Sequence, residues 1–359
     1  MLTQPETSTR LKPEFMVVVD KVYGEMCNLQ PGEKVLIISD SRTPRHVVDV
    51  FMGLAMVRGA VVSASENFLA PAPADQPGFE WNPMVAAAAG EADLIIDLAV
   101  GYAEFMAEAI ERGARIVSPG DGTGSYHLEE SLIRTMLHVD LDQMRREAIH
   151  YAGLLTEANE IHMTSEEGTD FVMQTEGLEG VASHEYLWDH EKQEKILTWS
   201  ALPPAAPGIV LPKYAGDGIV AVDGCLLFSD LMELPSAPVM FTFERGKIVD
   251  IQSEDRVCQG RLTQWLKSLK DDSGTFGPVH FNLGLNPRAR INEHPEFEKI
   301  RGTVCLGIGD SRLLMRMWSG AGLEPVVSDV HWDVIVMRPT LSLDGKIICQ
   351  DGVLPQFGE

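Results

Sequence analysis

Apolar residues in the first half of the chain alternate between the spacing of a buried strand and the spacing of an amphipathic helix. Strands are predicted where short runs of Val, Ile and Leu lie between turn residues, as in EKVLIISD and ARIVS. The predicted strands cover 33–40, 60–65, 92–100 and 114–118, and the predicted helices cover 44–59, about 82–90, 103–113, about 126–137 and 140–156. This alternation predicts an α/β domain with an open, mostly parallel sheet over residues 1–157.

The pattern changes after residue 157, where short strands are separated by Gly, Asp and Pro turns. One clear helix is predicted, over 258–272, and the Pro-rich segment 200–212 is predicted to be extended, as a strap across a surface or as one wall of a cleft. The predicted strands cover 160–165, 169–174, 217–228, 302–309, 333–339 and 345–355, and 238–252 is predicted to form a hairpin that turns at ERGK (244–247). Residues 158–359 are therefore expected to form an α+β domain that is mainly antiparallel β.

The apolar stretch SDVHWDVIVMRP contains two polar residues, His331 and Asp333, in an otherwise strand-like pattern. Residues two apart in a strand project from the same face, so both side chains emerge together while Trp332 points the other way. An unpaired buried imidazole or carboxylate costs several kcal/mol. The pair therefore indicates either a hydrogen-bonded couple at a strand end or part of a metal site.

A third candidate ligand is His280, which lies between apolar residues in GPVHFNLGLNPRARI. Two imidazoles and one carboxylate form the ligand set of a mononuclear non-haem Fe(II) oxygenase, which leaves the opposite coordination positions open for substrate and O₂. Zinc or manganese can use the same ligands. The spacing of His280, His331 and Asp333 is common by chance, so the pattern alone keeps a metal site within 158–359 as one hypothesis among several.

Charge and composition exclude some classes of function. The chain has 29 Lys and Arg against 53 Asp and Glu, a formal net charge of -24, which argues against binding to nucleic acids and to anionic membranes. No signal-peptide pattern and no apolar run of about 18 residues is present. The five cysteines form no CxxC pair and no disulfide framework, so we expect a cytoplasmic protein.

Several motifs together resemble a known superfamily. They are TSEEGTDF (164–171), DGIVAVDG (217–224), FERGKIVDI (243–251), LGLNPRA (283–289), GTVCLGIGD (302–310) and VHWDVIV (330–336). In this order they are similar to motifs of the aminopeptidase T-like metallopeptidase superfamily, which also contains the 2,5-dihydroxypyridine 5,6-dioxygenases. The resemblance covers essentially the whole chain, more loosely in the N-terminal domain, and it implies a homo-oligomer.

The resemblance separates two branches of the superfamily. Three positions where the aminopeptidases carry ligands of a metal pair correspond here to Gly208, Asn282 and Cys305, which offer neither carboxylate nor imidazole. The remaining His280, His331 and Asp333 match the positions that bind one Fe(II) in the dihydroxypyridine dioxygenases. The resemblance thus implies a ring-cleaving dioxygenase that takes a hydroxylated N-heteroaromatic substrate and O₂ in aromatic catabolism.

The catalytic base departs from the family pattern. The dioxygenases carry a histidine just after the third strand, but the corresponding DLAVGYAEF (97–105) has none, and Tyr102 is its nearest titratable group. A phenol with an ordinary pKa of about 10 is a poor base near neutral pH. His127 or His184 is therefore an alternative base, unless the substrate itself differs.

Further residues are candidates for substrate contacts. Arg288 can neutralise a substrate oxyanion or carboxylate, or hold the LGLNP turn in place. Trp199 can stack on an aromatic ring, or pack in the core. Asp310 and Ser311, which follow the strand GTVCLGIG, are expected to line the pocket.

Two other classes of function stay open. The first is a hydrolase or aminopeptidase in which a single Zn²⁺ or Mn²⁺ activates water. It requires a carboxylate base, for which the candidates are Glu166, Glu167, Asp170 and Asp329. The second is a protein without catalytic activity that binds a small molecule.

Overall fold

The computed structural model of the chain describes residues 12–67, 82–101, 103–118, 127–182, 186–204, 206–229, 231–291, 294–318 and 322–357. Within these ranges the protein contains one parallel and two larger antiparallel sheets, together with a two-stranded ribbon. The predicted combination of an α/β part and a mainly antiparallel α+β part is confirmed.

The first part of the chain alternates helices and strands as the sequence predicts. A helix near the start and two π-helical turns, Val22–Met26 and Ile133–Leu137, are additions that the apolar pattern does not reveal. The elements are α1 Pro13–Lys21, β1 Lys34–Asp40, α2 Arg45–Val57, β2 Val61–Asn67, α3 Pro83–Ala89, β3 Leu94–Asp97, α4 Glu104–Glu111, β4 Arg115–Ser118, α5 Leu128–Leu132 and α6 Leu141–Glu157.

The second part is rich in short strands. The elements are β5 Glu160–Thr164, β6 Asp170–Gln174, β7 Gly180–Val181, β8 Trp188–Asp189, β9 Glu194–Lys195, β10 Trp199–Ala201, β11 Gly208–Val210, β12 Gly216–Val222, β13 Leu226–Phe228, β14 Leu231–Glu233, β15 Val239–Phe243, β16 Ile248–Ser253, α7 Arg256–Ser268, β17 His280–Leu283, α8 His294–Phe297, β18 Val304–Gly309, α9 Arg312–Met317, β19 His331–Val336, β20 Thr340–Leu343 and β21 Lys346–Cys349. The predicted single clear helix is α7. The short helices α8 and α9 were not predicted, because four and six residues are too few to show a helical period.

The parallel sheet has the order β10-β4-β3-β1-β2. Its edge strand β10 comes from the second part of the chain and pairs in parallel with β4. The Pro-rich segment 200–212 then leads from this sheet to β11 in an antiparallel sheet, so it connects the two parts of the molecule. The predicted boundary between 157 and 158 coincides with the end of α6, and the division into two domains stays a prediction.

The antiparallel sheets each have seven strands. We call the sheet β14-β13-β19-β18-β17-β11-β7 the central sheet, and the sheet β16-β15-β12-β6-β5-β20-β21 the outer sheet. The single strand predicted over 217–228 is wrong, because β12 belongs to the outer sheet and β13 to the central sheet. The chain turns between them at Asp223, whose Oδ1 accepts a hydrogen bond from Met337 N at 2.8 Å.

The two faces of the central sheet have different surroundings. On one face, Trp332 of β19 packs against Phe241 of the outer sheet and Trp265 of α7, with ring centroids 6.0 and 5.7 Å apart. The opposite face carries His280, His331 and Asp333, because side chains alternate along each strand. The prediction that Trp332 points away from the two polar residues is therefore confirmed.

Two predicted absences can be compared with the structure. All five cysteines are buried and free, which agrees with the predicted lack of disulfides. Among the helices of the described ranges, none has both the length and the apolar character needed to cross a membrane.

Candidate metal centre

The three candidate ligands lie on neighbouring strands of the central sheet. His280 begins β17, while His331 begins β19 and Asp333 follows two residues later. Strand β18 runs between them, and its Gly307 is in register with both His280 and Asp333. Residues in register on antiparallel strands project from the same face, so the imidazole and the carboxylate lie on the two sides of a glycine.

The ligand atoms of these residues converge. Nε2 of His280 lies 3.3 Å from Nε2 of His331 and 3.1 Å from Oδ1 of Asp333, and the third separation is 3.6 Å. All three residues are buried, with exposed fractions of 3%, 5% and 2%. The two imidazole rings are stacked, with an interplanar angle of 21°.

The protonation of His331 follows from its hydrogen bond. Its Nδ1 lies 2.7 Å from the backbone oxygen of Asp310. A carbonyl oxygen only accepts, so Nδ1 of His331 must carry the proton and donate it. In the neutral ring Nε2 is then the nitrogen that carries the lone pair, and it faces His280 and Asp333, as is usual for a metal-binding histidine.

The carboxylate of Asp333 is in an unusual electrostatic environment. Burial raises its pKa, but the neighbouring imidazoles of His331 and His280 outweigh burial and hold the pKa well below the usual range. Its Oδ1 has no hydrogen-bond partner among the described residues. A buried carboxylate of this kind is stabilised either by protonated imidazoles beside it or by a bound cation, because an uncompensated charge in the interior is costly.

These residues fit a single metal ion. Among the described residues they form a group of three whose ligand atoms lie within 4.8 Å of one another. Separations of 3.1–3.6 Å suit atoms that each bind one ion at about 2.0–2.2 Å. Two imidazoles and one carboxylate with open positions match the ligand set of non-haem Fe(II) oxygenases, and zinc accepts the same set.

The three positions that the resemblance relates to ligands of a second metal form the next row of the same face. Gly208 of β11, Asn282 of β17 and Cys305 of β18 are directly in register with one another. Along the strands, this row lies two residues from the row of His280, Gly307 and Asp333. No second group of His, Cys, Asp and Glu with metal-binding spacing occurs in the described ranges.

Sequence reasoning missed two residues that shape the centre. Gly307 allows the His280 ring to cross β18, and a glycine inside the strand pattern of GTVCLGIG was the available signal. Trp318, at the end of α9, meets the His280 ring edge-on with centroids 6.0 Å apart, and no sequence pattern indicated it. Trp318 belongs to an apolar cluster that joins Val210 of the central sheet to Leu36 and Ile95 of the parallel sheet.

Asp310 and Ser311 lie beside the centre, and their side chains accept hydrogen bonds from backbone N–H groups of the segment before β19. The Asp310 carboxylate accepts from Arg312 Nε at 2.7 Å and from Ser328 N at 3.0 Å, while its carbonyl orients His331. Ser311 is 1% exposed, and its Oγ accepts from Val326 N at 2.9 Å. These contacts give both residues a positioning role, and their predicted contact with substrate stays a prediction.

The other candidates for substrate contact are further from the ligands. Trp199 is buried in the same apolar cluster as Trp318, as its alternative role in core packing predicts. Arg288 is exposed in the turn beyond Leu283, while His280 lies at the opposite end of β17. That turn is held mainly by Asn286, whose Nδ2 donates to Thr135 O at 2.9 Å.

Of the three candidate bases, His127 alone lies in the described part of the chain. Tyr102 and His184 lie outside the described residues. His127 is half-buried immediately before α5, in the first part of the chain. Buried Asp97 holds the turn over residues 99–101 by accepting hydrogen bonds from the N–H groups of Ala99, Val100 and Gly101.

The candidate bases of the hydrolase hypothesis lie elsewhere. Glu166, Glu167 and Asp170 are exposed at the turn between β5 and β6 of the outer sheet, and Asp170 Oδ1 pairs with His162 at 2.8 Å. Asp329 is exposed two residues before His331. Of the four carboxylates, Asp329 alone lies within two residues of a candidate ligand in the sequence.

Comparison with known proteins places the fold and the family. The 2,5-dihydroxypyridine dioxygenase from Pseudomonas putida KT2440 has 17% identity and a TM-score of 0.74, covering 96% of this chain and 97% of its own. Wild-type AmpT from Thermus thermophilus, an aminopeptidase T, has 15% identity and a TM-score of 0.69, covering 97% and 100%. No curated protein sequence matches significantly. The sequence profile of the family described as NicX, 2,5-dihydroxypyridine 5,6-dioxygenase, matches residues 17–356, so this chain belongs to that dioxygenase family.

Proposed function

We propose that this protein is a mononuclear Fe(II) dioxygenase that opens the ring of a hydroxylated N-heteroaromatic compound of the 2,5-dihydroxypyridine type. The observation that carries the proposal is the buried convergence of His280, His331 and Asp333 in a chain of the dihydroxypyridine dioxygenase family. The substrate class follows the activity after which the family is described.

The three side chains would hold the iron through Nε2 of His280, Nε2 of His331 and Oδ1 of Asp333. When bound there, Fe(II) supplies the redox chemistry that lets an electron-rich ring react with O₂. The Asp333 carboxylate would supply the one negative charge of the ligand set.

The surrounding residues position the ligands and exclude water. The Asp310 carbonyl fixes the ring of His331, and Gly307 provides the space that brings His280 to the same point. Exposed fractions of at most 5% for the three ligands keep bulk water away from the reacting atoms. Trp318 packs edge-on against the ring of His280 and makes this side of the centre apolar.

The overall reaction would place both atoms of O₂ in the ring-opened product, with cleavage between two adjacent ring carbons. A hydroxyl proton of the substrate must be accepted by a base before or during this reaction. Tyr102, His184 and His127 stay the candidates for that base, and Arg288 stays the candidate that neutralises the resulting oxyanion.

The test is metal analysis of protein purified without oxygen, followed by O₂ uptake with 2,5-dihydroxypyridine. We expect one iron per chain and O₂ consumption, and we expect His331→Ala to lose both. His162→Ala is the matched control, because His162 pairs with Asp170 on the outer sheet, away from the ligands. Full O₂ uptake by His331→Ala would contradict the proposal, and zinc with peptide cleavage would favour the hydrolase.

A further inference from the structure

His280 lacks the hydrogen bond that usually orients a metal-binding histidine. Such a histidine almost always donates the N–H of its other ring nitrogen to a carboxylate, a carbonyl group or water, and this contact fixes the plane of the ring. His331 has this contact, because its Nδ1 donates to the Asp310 carbonyl at 2.7 Å. Nδ1 of His280 is buried and has no hydrogen-bond partner among the described residues. The two imidazoles are therefore held in different ways.

Packing has to set the plane of the His280 ring. The torsion that turns an imidazole is broad and has no sharp staggered minima. Gly307 lies beneath the ring and has no side chain that could limit its rotation. One aromatic neighbour is His331, itself a candidate ligand, whose ring is stacked at a centroid distance of 5.2 Å. The other is Trp318, whose indole meets the His280 ring at 6.0 Å and 71°.

The contact between Trp318 and His280 has the geometry of a specific aromatic pair. Edge-to-face rings with centroids about 4.5–7 Å apart attract each other beyond the area that they bury. Trp318 is 6% exposed, so its own surroundings hold the indole in place. A turn of the His280 ring would break the edge-to-face arrangement. The contact thus favours the ring plane in which Nε2 of His280 points toward His331 and Asp333.

The position of Trp318 is set by the packing of α9 against α4 in the first part of the chain. Trp318 directly follows the last residue of α9. Met317 of α9 and Met106 of α4 belong to the same apolar cluster as Trp318. Arg316 Nη1 of α9 lies 2.5 Å from Glu104 Oε1 of α4. The indole is therefore anchored on a helix that the first part of the chain supports.

We propose that Trp318 is a positioning residue that orients His280 for metal binding, in the role that the Asp310 carbonyl has for His331. This inference rests on the metal centre of the proposed function. Trp318 supplies no ligand atom and acts through His280, because an indole N–H only donates. The first part of the chain consequently contributes to metal affinity, since α4 supports α9 and α9 places Trp318.

The test measures how the full-length protein, freed of metal, binds Co(II) in the absence of oxygen and substrate. Co(II) is a divalent neighbour of Fe(II), and its visible spectrum responds to the number and geometry of its ligands. In Trp318→Leu we expect about 10-fold weaker binding, as for other contacts that orient a metal ligand, and a changed spectrum at saturation. Trp318→Phe keeps an aromatic ring and should restore the spectrum, with an affinity within about 3-fold of the wild type. Trp318→Met takes the place of Trp318→Leu if the leucine variant does not fold.

Two controls separate orientation of His280 from general packing. Met317→Ala removes apolar bulk from the same helix and cluster, so it should lower the melting temperature and keep the affinity and spectrum of Co(II). In a His280→Ala background, adding Trp318→Leu should change the affinity by less than about 2-fold. A residue that acts through His280 has nothing left to orient in that background.

Wild-type affinity and spectrum in Trp318→Leu would overturn the inference and leave the proposed function standing. Equal losses of affinity in Trp318→Leu and Met317→Ala would overturn it as well, because Trp318 would then support the fold alone. A wild-type protein that binds no Co(II) would instead contradict the metal centre, and with it the proposed function itself.

Discussion

Gly307 lies directly beneath the imidazole of His280, and no other residue type fits there. A Cβ built on Gly307 would lie 2.1 Å from both Nε2 and Cδ2 of the ring. The missing side chain lets His280 reach across β18 to Asp333 on β19, a strand that is not its direct neighbour. A single glycine thus joins ligands from two separated strands into one site.

Gly307→Ala is predicted to disrupt metal binding while leaving the fold intact. The added methyl group displaces the His280 ring, so Nε2 no longer converges with His331 and Asp333. We expect iron content after anaerobic reconstitution to fall at least 10-fold, measured by elemental analysis, with an unchanged circular dichroism spectrum.

Gly153→Ala is the matched control for this substitution. Gly153 lies inside α6, and a Cβ there would meet no atom within 4 Å. Alanine should therefore retain iron and raise the free energy of unfolding by about 0.5–1 kcal/mol. Full iron occupancy in Gly307→Ala would show that the ring of His280 is not a ligand.

Asp310→Ala is predicted to weaken metal binding through the backbone. The Asp310 side chain holds Ser328 N and Arg312, and so fixes the turn whose carbonyl accepts from His331. Loss of such outer contacts usually costs 10–100-fold in metal affinity. Competition with a chelator measures this loss.

Asp329→Ala serves as the comparison for Asp310→Ala, because it removes an exposed carboxylate two residues from His331. It should retain both affinity and O₂ uptake. Loss of a hydrolytic activity in Asp329→Ala, with metal retained, would instead support the hydrolase hypothesis.

In the turn after β17, Asn286 is expected to have a structural role, and the contribution of Arg288 to stability is expected to be small. Asn286 is fully buried and donates to Thr135 O, so Asn286→Ala should lower the free energy of unfolding by about 1–3 kcal/mol. Arg288→Ala removes an exposed side chain and should change this free energy by less than about 0.5 kcal/mol. Urea unfolding measures both.

The same Arg288→Ala protein tests the predicted contact of Arg288 with substrate. A fall in kcat/KM at unchanged iron content would support that role. Unchanged kinetics would leave Arg288 as a surface residue of the turn.

The elements that could be predicted are those in which an apolar period repeats over many consecutive residues. Strand β1 and helix α6 follow their predicted ranges closely, since a repeated apolar period marks each of them. The pairing of His331 with Asp333 was predictable for the same reason, because two-residue spacing fixes a common face. The apolar surroundings of His280 made it a candidate ligand, but its partnership with His331, 51 residues away, rested on the resemblance to a family.

Features that depend on contacts between distant segments were not predictable. β10 joins the parallel sheet from the second part of the chain, and nothing in WSA indicates its partner. The split of 217–228 at Asp223 depends on packing against β19, where Gly224 N donates to Ile335 O. Trp318 contacts the ring of His280 although the two residues are distant in sequence, so no spacing in the sequence relates them.

Asp97 is predicted to make stability fall with rising pH. Burial raises its pKa to about 6, although the N–H groups of Ala99, Val100 and Gly101 and the Ser118 hydroxyl oppose the shift. The folded protein therefore binds this proton more tightly than the unfolded chain, whose Asp has a pKa of about 3.9. The resulting stabilisation is complete below about pH 4 and is lost as the pH rises through about 6.

Asp97→Asn removes this titration and tests it directly. Because the pKa is about 6 in the folded protein and about 3.9 in the unfolded chain, the free energy of unfolding of the wild type relative to Asp97→Asn should fall by roughly 2 kcal/mol between pH 4.5 and 7.5. Asn cannot accept from all three backbone N–H groups, so the variant should be less stable than the wild type at the acid end of this range. Thermal unfolding at half-unit pH steps measures the difference, and parallel profiles for the two proteins would show that Asp97 is already ionised throughout.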